Sequence, residues 1–304
     1  MMFGRSPFHA AAVLLLALTA GLAKADPGVL VLGRVSDNPQ RHHAQLQPLL
    51  DYVVPRMAGV GIREGRILMA RDASRMTSYL RHGRVDWVTE TMASALGLID
   101  RAGARPLLFT HRDGMTHYHS VLVVRDDAPL HRIADLAGRR LALEAPHSTS
   151  AYLLPAMTLL DAGLPMEILP SPTDRPRPGN VGYVFANTER NIAHWVILGV
   201  VDAGGFSDLD LAEWRAERPD APALRVIGTS PAVPRAIELV RGDLDPAVAA
   251  RLREVLLEAA TDPQAAPALR AFFDTTGFDV PSATDLADLR RLGERVRHTR
   301  EAIE

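Results

Sequence analysis

The sequence predicts an α/β protein of two lobes. Strand-like and helix-like segments alternate along most of the chain, which argues for sheets flanked by helices. The chain of 304 residues is long for a single hydrophobic core. The motif Gly83-Arg-Val-Asp86 recurs as Gly199-Val-Val-Asp202. In both places a glycine ends a helix and Val-Asp opens a strand, which suggests two similarly built lobes.

The apolar run 29–33 reads as a buried strand. Ser36-Asp-Asn-Pro39 is a loop, 40–57 a helix, 59–65 a turn and 66–70 a second strand. A helix over 74–83 has Ser74 as its cap, a strand follows at 85–88, and 91–101 is helical. Segments 105–111 and 119–125 are further strands, so the first lobe has a mainly parallel sheet. A second unit then begins. It holds a short helix at 133–138, a strand at 140–143, a helix at 150–162 closed by Gly163, and a Pro-rich loop at 171–179. A strand at 180–185, a helix at 188–198 and a strand at 201–204 follow. Segment 224–227 returns to the first unit, and 246–260 and 263–273 are helices. The charged tail 285–304 reads as a solvated surface helix. Gly59-Val-Gly61 with Gly65 imitates a dinucleotide fingerprint, but it follows a helix and precedes a strand, which is the wrong order.

Residues 1–25 read as a cleavable secretory signal peptide. Arg5 and His9 form its basic end, Ala10 to Leu22 its apolar run, and Ala23-Lys24-Ala25 its small-x-small cleavage site. The run is shorter than the roughly 20 residues of a spanning helix. The expected compartment is the periplasm. The chain has no cysteine, which excludes disulfides, thiolate metal sites and a cysteine nucleophile, and leaves a lipoprotein anchor no attachment point. Positive and negative residues balance, at 34 and 36, without the dense basic patch that nucleic acid requires. A nucleophile elbow, a zinc-protease helix motif and a phosphate-binding lysine loop are all missing, so no enzymatic activity is expected.

Glu144-Ala-Pro-His-Ser-Thr-Ser-Ala-Tyr-Leu-Leu-Pro155 is the most informative segment. It places Ser148, Thr149 and Ser150 between a strand and a helix start. Hydroxyl side chains are ordinary N-caps. A helix start also offers unpaired N–H donors and a partial positive charge to an anion. Three hydroxyls add donors that can wrap a tetrahedral oxyanion.

In their order and spacing, four segments resemble the periplasmic binding proteins of ABC importers for phosphonate, phosphite and phosphate. They are Tyr118-His-Ser-Val-Leu-Val-Val-Arg125, Ile133-Ala-Asp-Leu-Ala-Gly-Arg-Arg-Leu-Ala142, Pro146-His-Ser-Thr-Ser-Ala-Tyr-Leu-Leu-Pro155 and Gly199-Val-Val-Asp-Ala-Gly204. The return segment 226–241, with Ser230 and Pro234, is similar to the family's own. The resemblance implies a type II clamshell with the ligand at the hinge. Lobe one would be 26–122 plus 225–304, lobe two 123–224, and the hinge linkers 121–125 and 222–226. It further implies that Ser148, Thr149 and Ser150 hold the oxyanion oxygens, that the receptor is a monomer without cofactor, and that it delivers ligand to an inner-membrane ABC permease.

Two departures bear on the ligand. The family places an aromatic residue after the third strand, where this chain has Glu90, and a histidine at the helix that here begins Thr188-Glu-Arg-Asn191. A carboxylate repels an oxyanion. Either Glu90 takes the ammonium end of a zwitterion such as an aminoalkylphosphonate, or only the scaffold is shared and the ligand differs. In the second case the protein would be a sensory receptor feeding a membrane kinase or cyclase. Arg190 offers a forked donor to an oxyanion. Tyr118 lies where the lobes meet, Ser36 and Asn38 follow the first strand, and Asp208 follows the strand at 201–204. Each also suits an ordinary role: exposed arginine, half-buried tyrosine, turn residue or helix cap. His117 and His119 share a strand face, but zinc needs three or four ligands, and no metal site is expected.

Overall fold

The computed structural model describes residues 28–36 and 38–303, and the expected signal peptide lies outside the described residues. The unbroken apolar run at 29–32 becomes a strand covered on both faces, the setting in which such runs occur. Along strand β1 (Val29–Val35), Leu30 and Leu32 enter one apolar cluster while Val29 and Val31 enter another, following the two-residue period of a strand. β1 pairs in parallel with β2 (Glu64–Ala70) and β3 (Trp87–Glu90). Helices α1 (Pro39–Arg56), α2 (Ala73–Arg81) and α3 (Met92–Ala102) alternate with these strands. Asn38 caps α1 through the Arg41 amide at 3.2 Å, and Asp72 caps α2 through the Arg75 amide at 2.7 Å.

β4 (Arg105–Arg112) leads out of this sheet toward the second lobe, and β13 (Ala236–Val240) brings the chain back. β13 re-enters from the opposite end, so it pairs antiparallel with both β3 and β4. With β14 (Thr275–Asp279) at the edge, the sheet order is β14-β4-β13-β3-β1-β2. The second sheet holds β6 (Ser120–Arg125), β7 (Arg140–Leu143), β8 (Met166–Ile168), β9 (Val181–Phe185), β10 (Ala203–Ser207) and β11 (Leu224–Thr229), in the order β11-β6-β10-β7-β9-β8. Here β7, β8, β9 and β10 run parallel, and β6 enters antiparallel to β10. Each sheet is therefore mixed: parallel on one side, antiparallel where the chain crosses between lobes. Helices α4 (Leu154–Asp161), α5 (Glu189–Ile197) and α6 (Asp208–Glu217) complete this lobe. α7 (Pro246–Ala259) and α8 (Ala266–Ala271) pack on the first sheet beside α1.

The repeated Gly…Val-Asp motif has one construction in both lobes. Gly83 and Gly199 adopt left-handed φ values of 62° and 69°, which glycine reaches without a Cβ clash. The following aspartates then anchor the strand they enter. Asp86 accepts the Val31 amide at 2.9 Å, and Asp202 accepts the Arg140 amide at 2.9 Å.

The chain crosses between the sheets through 113–119 and 230–235. Within these crossings β5 (His117–Tyr118) and β12 (Val233–Pro234) pair as a short antiparallel ribbon. The expected hinge segments 121–125 and 222–226 instead fall largely within β6 and β11 of the second sheet. The tail is helical, but it is not a solvated surface helix. α9 (Ala283–Ile303) buries Leu289, Val296 and Thr299, and packs on α3 of one lobe and α4 of the other. Its apolar stripe, Leu289-Leu292-Val296-Ile303, recurs at three-, four- and seven-residue steps inside a charged sequence, narrow enough to escape notice. Arg295 pairs with Asp161 at 2.5 Å and Arg297 with Asp100 at 3.2 Å, so the helix straps both lobes.

Candidate functional site

The parallel strands of both sheets end at a shared cleft, where ligands of open α/β sheets bind. Its volume is 490 Å³. β1 delivers Arg34 and Val35, β3 delivers Glu90, and α1 adds Arg41 and His42. From the other lobe come Glu144 after β7, the segment 147–150, Asn187 and Thr188 after β9, and Glu189 and Asp210 at the starts of α5 and α6.

The Ser-Thr-Ser segment is a helix start of unusual width. Residues Thr149–Leu153 form a π-helical turn before α4, with the Leu153 amide reaching back to the Ser148 carbonyl at 3.1 Å. Such turns are rare and occur often at functional sites. Ser148 is its cap, accepting the Ala151 amide at 3.1 Å. Thr149 Oγ1 accepts the Ala93 amide of α3 at 2.9 Å, across the cleft. Thr91, the capping residue of α3, makes no side-chain cap bond, so the second lobe supplies that cap. Ser120 Oγ donates to the Ser150 carbonyl at 2.5 Å. The three hydroxyl residues are buried, at 7 %, 3 % and 8 % exposure, at the base of the cleft.

Tyr118 is fully buried rather than half-buried, and its hydroxyl bonds Thr149 and Ser150. Burial pushes its pKa up, against the nearby Arg235 cation. Glu90 lines the cleft, but its Oε1 accepts the Val35 amide at 2.6 Å. Burial raises the pKa of Glu90, opposed first by Arg34, then by that amide, Arg112 and His147. It is thus engaged with the protein's own donors and cations.

Of the remaining sequence candidates, Ser36, Asp208 and Arg190 lie outside the lining. Ser36 sits behind it, bonded to His42 Nδ1 at 2.7 Å and to the Asn38 amide at 3.1 Å. Asn38 itself lines the cleft. Asp208 accepts the His119 amide at 3.0 Å and so ties a crossing segment to α6. Arg190 is exposed on α5 and pairs with Glu217 at 2.9 Å. His119 bonds the Ser230 carbonyl and His111 bonds Asp279, so the histidines at 111 and 119 hold separate partners.

Sequence reasoning missed most of the charge. Arg34, Arg41 and Arg235 line the first lobe's side, with Arg112 in the wall behind. Glu144, Glu189 and Asp210 line the second lobe's side. Burial, reinforced by Glu144 and Asp210, pushes Glu189 up to about 8, and a hydrogen bond joins it to Glu144. The signal that found Glu90, and could have found Arg34 and Glu144, is position at or beside the carboxyl ends of parallel strands.

The family model for the ABC transporter, phosphonate, periplasmic substrate-binding protein matches residues 34–286. XAC2383 from Xanthomonas citri, in a structure bound to chloride ion, is 47% identical with a TM-score of 0.86, covering 91% of this chain and 100% of that one. Its structure bound to ATP gives 46% identity and a TM-score of 0.85 over 91% and 100% of the two chains. A binding protein component of an ABC phosphonate transporter from Pseudomonas aeruginosa shares the fold at 21% identity and a TM-score of 0.65, over 90% and 88% of the two chains. PhnD1 from Prochlorococcus marinus, in complex with methylphosphonate, does so at 16% and 0.64, over 90% and 99%. These neighbours share the two-lobed type II clamshell. The chain belongs to the phosphonate-binding family of periplasmic substrate-binding proteins of ABC transporters.

Proposed function

We propose that the protein is a periplasmic receptor that binds a small phosphoryl anion in the hinge cleft and delivers it, unreacted, to an inner-membrane ABC permease. The observation that carries this reading is the buried hydroxyl segment Ser148-Thr149-Ser150 at a helix start, bridged to the other lobe through Ala93 and Tyr118. Neutral hydroxyl and amide donors suit an anion held away from water. The solved relatives give this support, since chloride, ATP and methylphosphonate are all anions. Calorimetric titration with methylphosphonate and orthophosphate tests it. Saturable binding that weakens at least tenfold in Ser148→Ala is expected, at about 1.4 kcal/mol per tenfold. Full affinity in that variant would remove the assignment.

The acidic group Glu144, Glu189 and Asp210 favours a second reading, in which the ligand has changed and the scaffold feeds a membrane sensor kinase or cyclase. A permease and ATPase encoded beside the gene support transport. A sensor kinase or cyclase there supports signalling.

A further inference from the structure

The first lobe's wall of the cleft holds more positive charge than its carboxylates neutralise. Arg34 and Arg112 both lie against the Phe273 ring, at 4.5 Å and 4.3 Å from its centroid. Arg235 lies over the Tyr118 ring at 5.0 Å. Arg112 is 3 % exposed, and its pKa falls to about 9 through burial and then through the Arg34 and Arg235 cations. Two carboxylates share this wall. Glu238 is occupied by Trp87 Nε1, Thr89 Oγ1 and Thr110 Oγ1 at 2.6, 2.8 and 2.7 Å, and Glu90 accepts the Val35 amide.

The guanidiniums are left short of partners. Among the described residues, neither Arg34 nor Arg112 has a carboxylate within 4.0 Å, and Arg235 has Asp113 at that limit. The Nε atoms of Arg34, Arg112 and Arg235 are buried without a hydrogen-bond partner among the described residues. Buried donors are ordinarily paired, and clustered like charges repel strongly away from water. An anion against Arg34 and Arg235, which line the cleft, relieves the repulsion. The opposite wall, with Glu144, Glu189 and Asp210, cannot serve in this way.

We infer that Arg34 and Arg235 form a second anion subsite, so that the ligand carries two linked anionic groups, one on Ser148-Thr149-Ser150 and the other on the arginine wall. This rests on the proposed function and narrows it: the ligand class is a diphosphate, a longer phosphoanhydride or a diphosphonate, in preference to a simple alkylphosphonate. The 490 Å³ cleft falls within the roughly 300–1,000 Å³ of sites for molecules larger than a lone phosphate. Tyr118 links the two subsites, carrying Arg235 on its ring and Thr149 and Ser150 on its hydroxyl.

The test is calorimetric titration of the purified protein with inorganic diphosphate, orthophosphate and methylphosphonate. Diphosphate should bind about 10- to 100-fold tighter than orthophosphate, the worth of one or two charge-assisted hydrogen bonds. The Arg34→Gln/Arg235→Gln variant should lose that preference, with diphosphate and orthophosphate then binding within about threefold of each other. If the double variant does not fold, Arg34→Lys and Arg235→Lys each retain charge but lose the fork, and each should narrow the preference. Equal wild-type affinities, or a preference that survives every arginine variant, overturn the second subsite. If orthophosphate then still binds and is lost in Ser148→Ala/Thr149→Ala, the proposed function stands without it. Failure of all three compounds to bind overturns both.

Discussion

Replacing Thr149 by valine probes the contact that joins the lobes at the base of the cleft. Valine keeps the branched shape and removes one oxygen. Thr149 is 3 % exposed, and its Oγ1 accepts the Ala93 amide at 2.9 Å. That amide belongs to the first turn of α3, whose own Thr91 supplies no side-chain cap. An unsatisfied buried donor costs about 1–3 kcal/mol, and loss of an N-cap about 0.5–2 kcal/mol. The two figures describe the same lost bond, so the expected destabilisation is about 1–3 kcal/mol rather than their sum. At roughly 2–4 °C per kcal/mol, melting should fall by about 2–12 °C. Scanning calorimetry of Thr149→Val beside Thr149→Ser separates oxygen from methyl, because serine keeps the acceptor and should fall less. A valine variant that melts with the wild type would refute the cross-lobe cap. A serine variant that falls as far as valine would assign the effect to packing.

Other residues give independent checks. Glu238→Ala strands the buried Trp87, Thr89 and Thr110 donors, so urea unfolding should show a loss of about 1–3 kcal/mol, with Glu238→Gln milder. Gly204→Ala would place a Cβ 2.4 Å from Ile192 Cγ2 and 3.1 Å from Val196 Cγ2 on the buried face of α5, costing about 1–3 kcal/mol by overpacking. Glu189, raised from 4.5 to about 8, keeps its contribution to stability below pH 4.5 and loses it progressively as pH rises to about 8. Glu189→Gln should therefore flatten the fall in melting temperature between those pH values. The affinity of the wild type for a phosphoryl anion should also drop as pH passes 8, through repulsion by the new carboxylate, and the glutamine variant should lack that drop.

The residues that were legible in the sequence act locally. Ser148 to Ser150 sit at a strand-to-helix junction, and a helix cap is a short-range device, so their place at the cleft could be read from their neighbours. The Gly…Val-Asp repeat was legible for the same reason, since its helix end and strand start are adjacent in the chain. The arginine wall was not. Arg34, Arg112 and Arg235 come from β1, β4 and the return crossing, and no spacing in the sequence announces their meeting on Phe273 and Tyr118. Glu90 was found by position, but its partners are the Val35 amide and cations of three other segments, so the ammonium role drawn from its charge alone overlooked them. Arg190 shows the converse: a forked donor close in sequence to the cleft turns outward to Glu217. The lobe crossings were misplaced because β6 and β11 continue apolar strand patterns beyond them.

Thermal unfolding of the protein with orthophosphate, methylphosphonate, diphosphate and sulfate, in the wild type and in Ser148→Ala/Thr149→Ala, tests most directly whether the hinge cleft binds a phosphoryl anion. A ligand at 100 times its Kd stabilises by about 2.7 kcal/mol, or roughly 5–10 °C here. The expected result is a shift of that size with at least one phosphoryl compound in the wild type and none in the double variant. A flat response to every phosphoryl compound, or a shift that survives loss of both hydroxyls, would contradict the assignment.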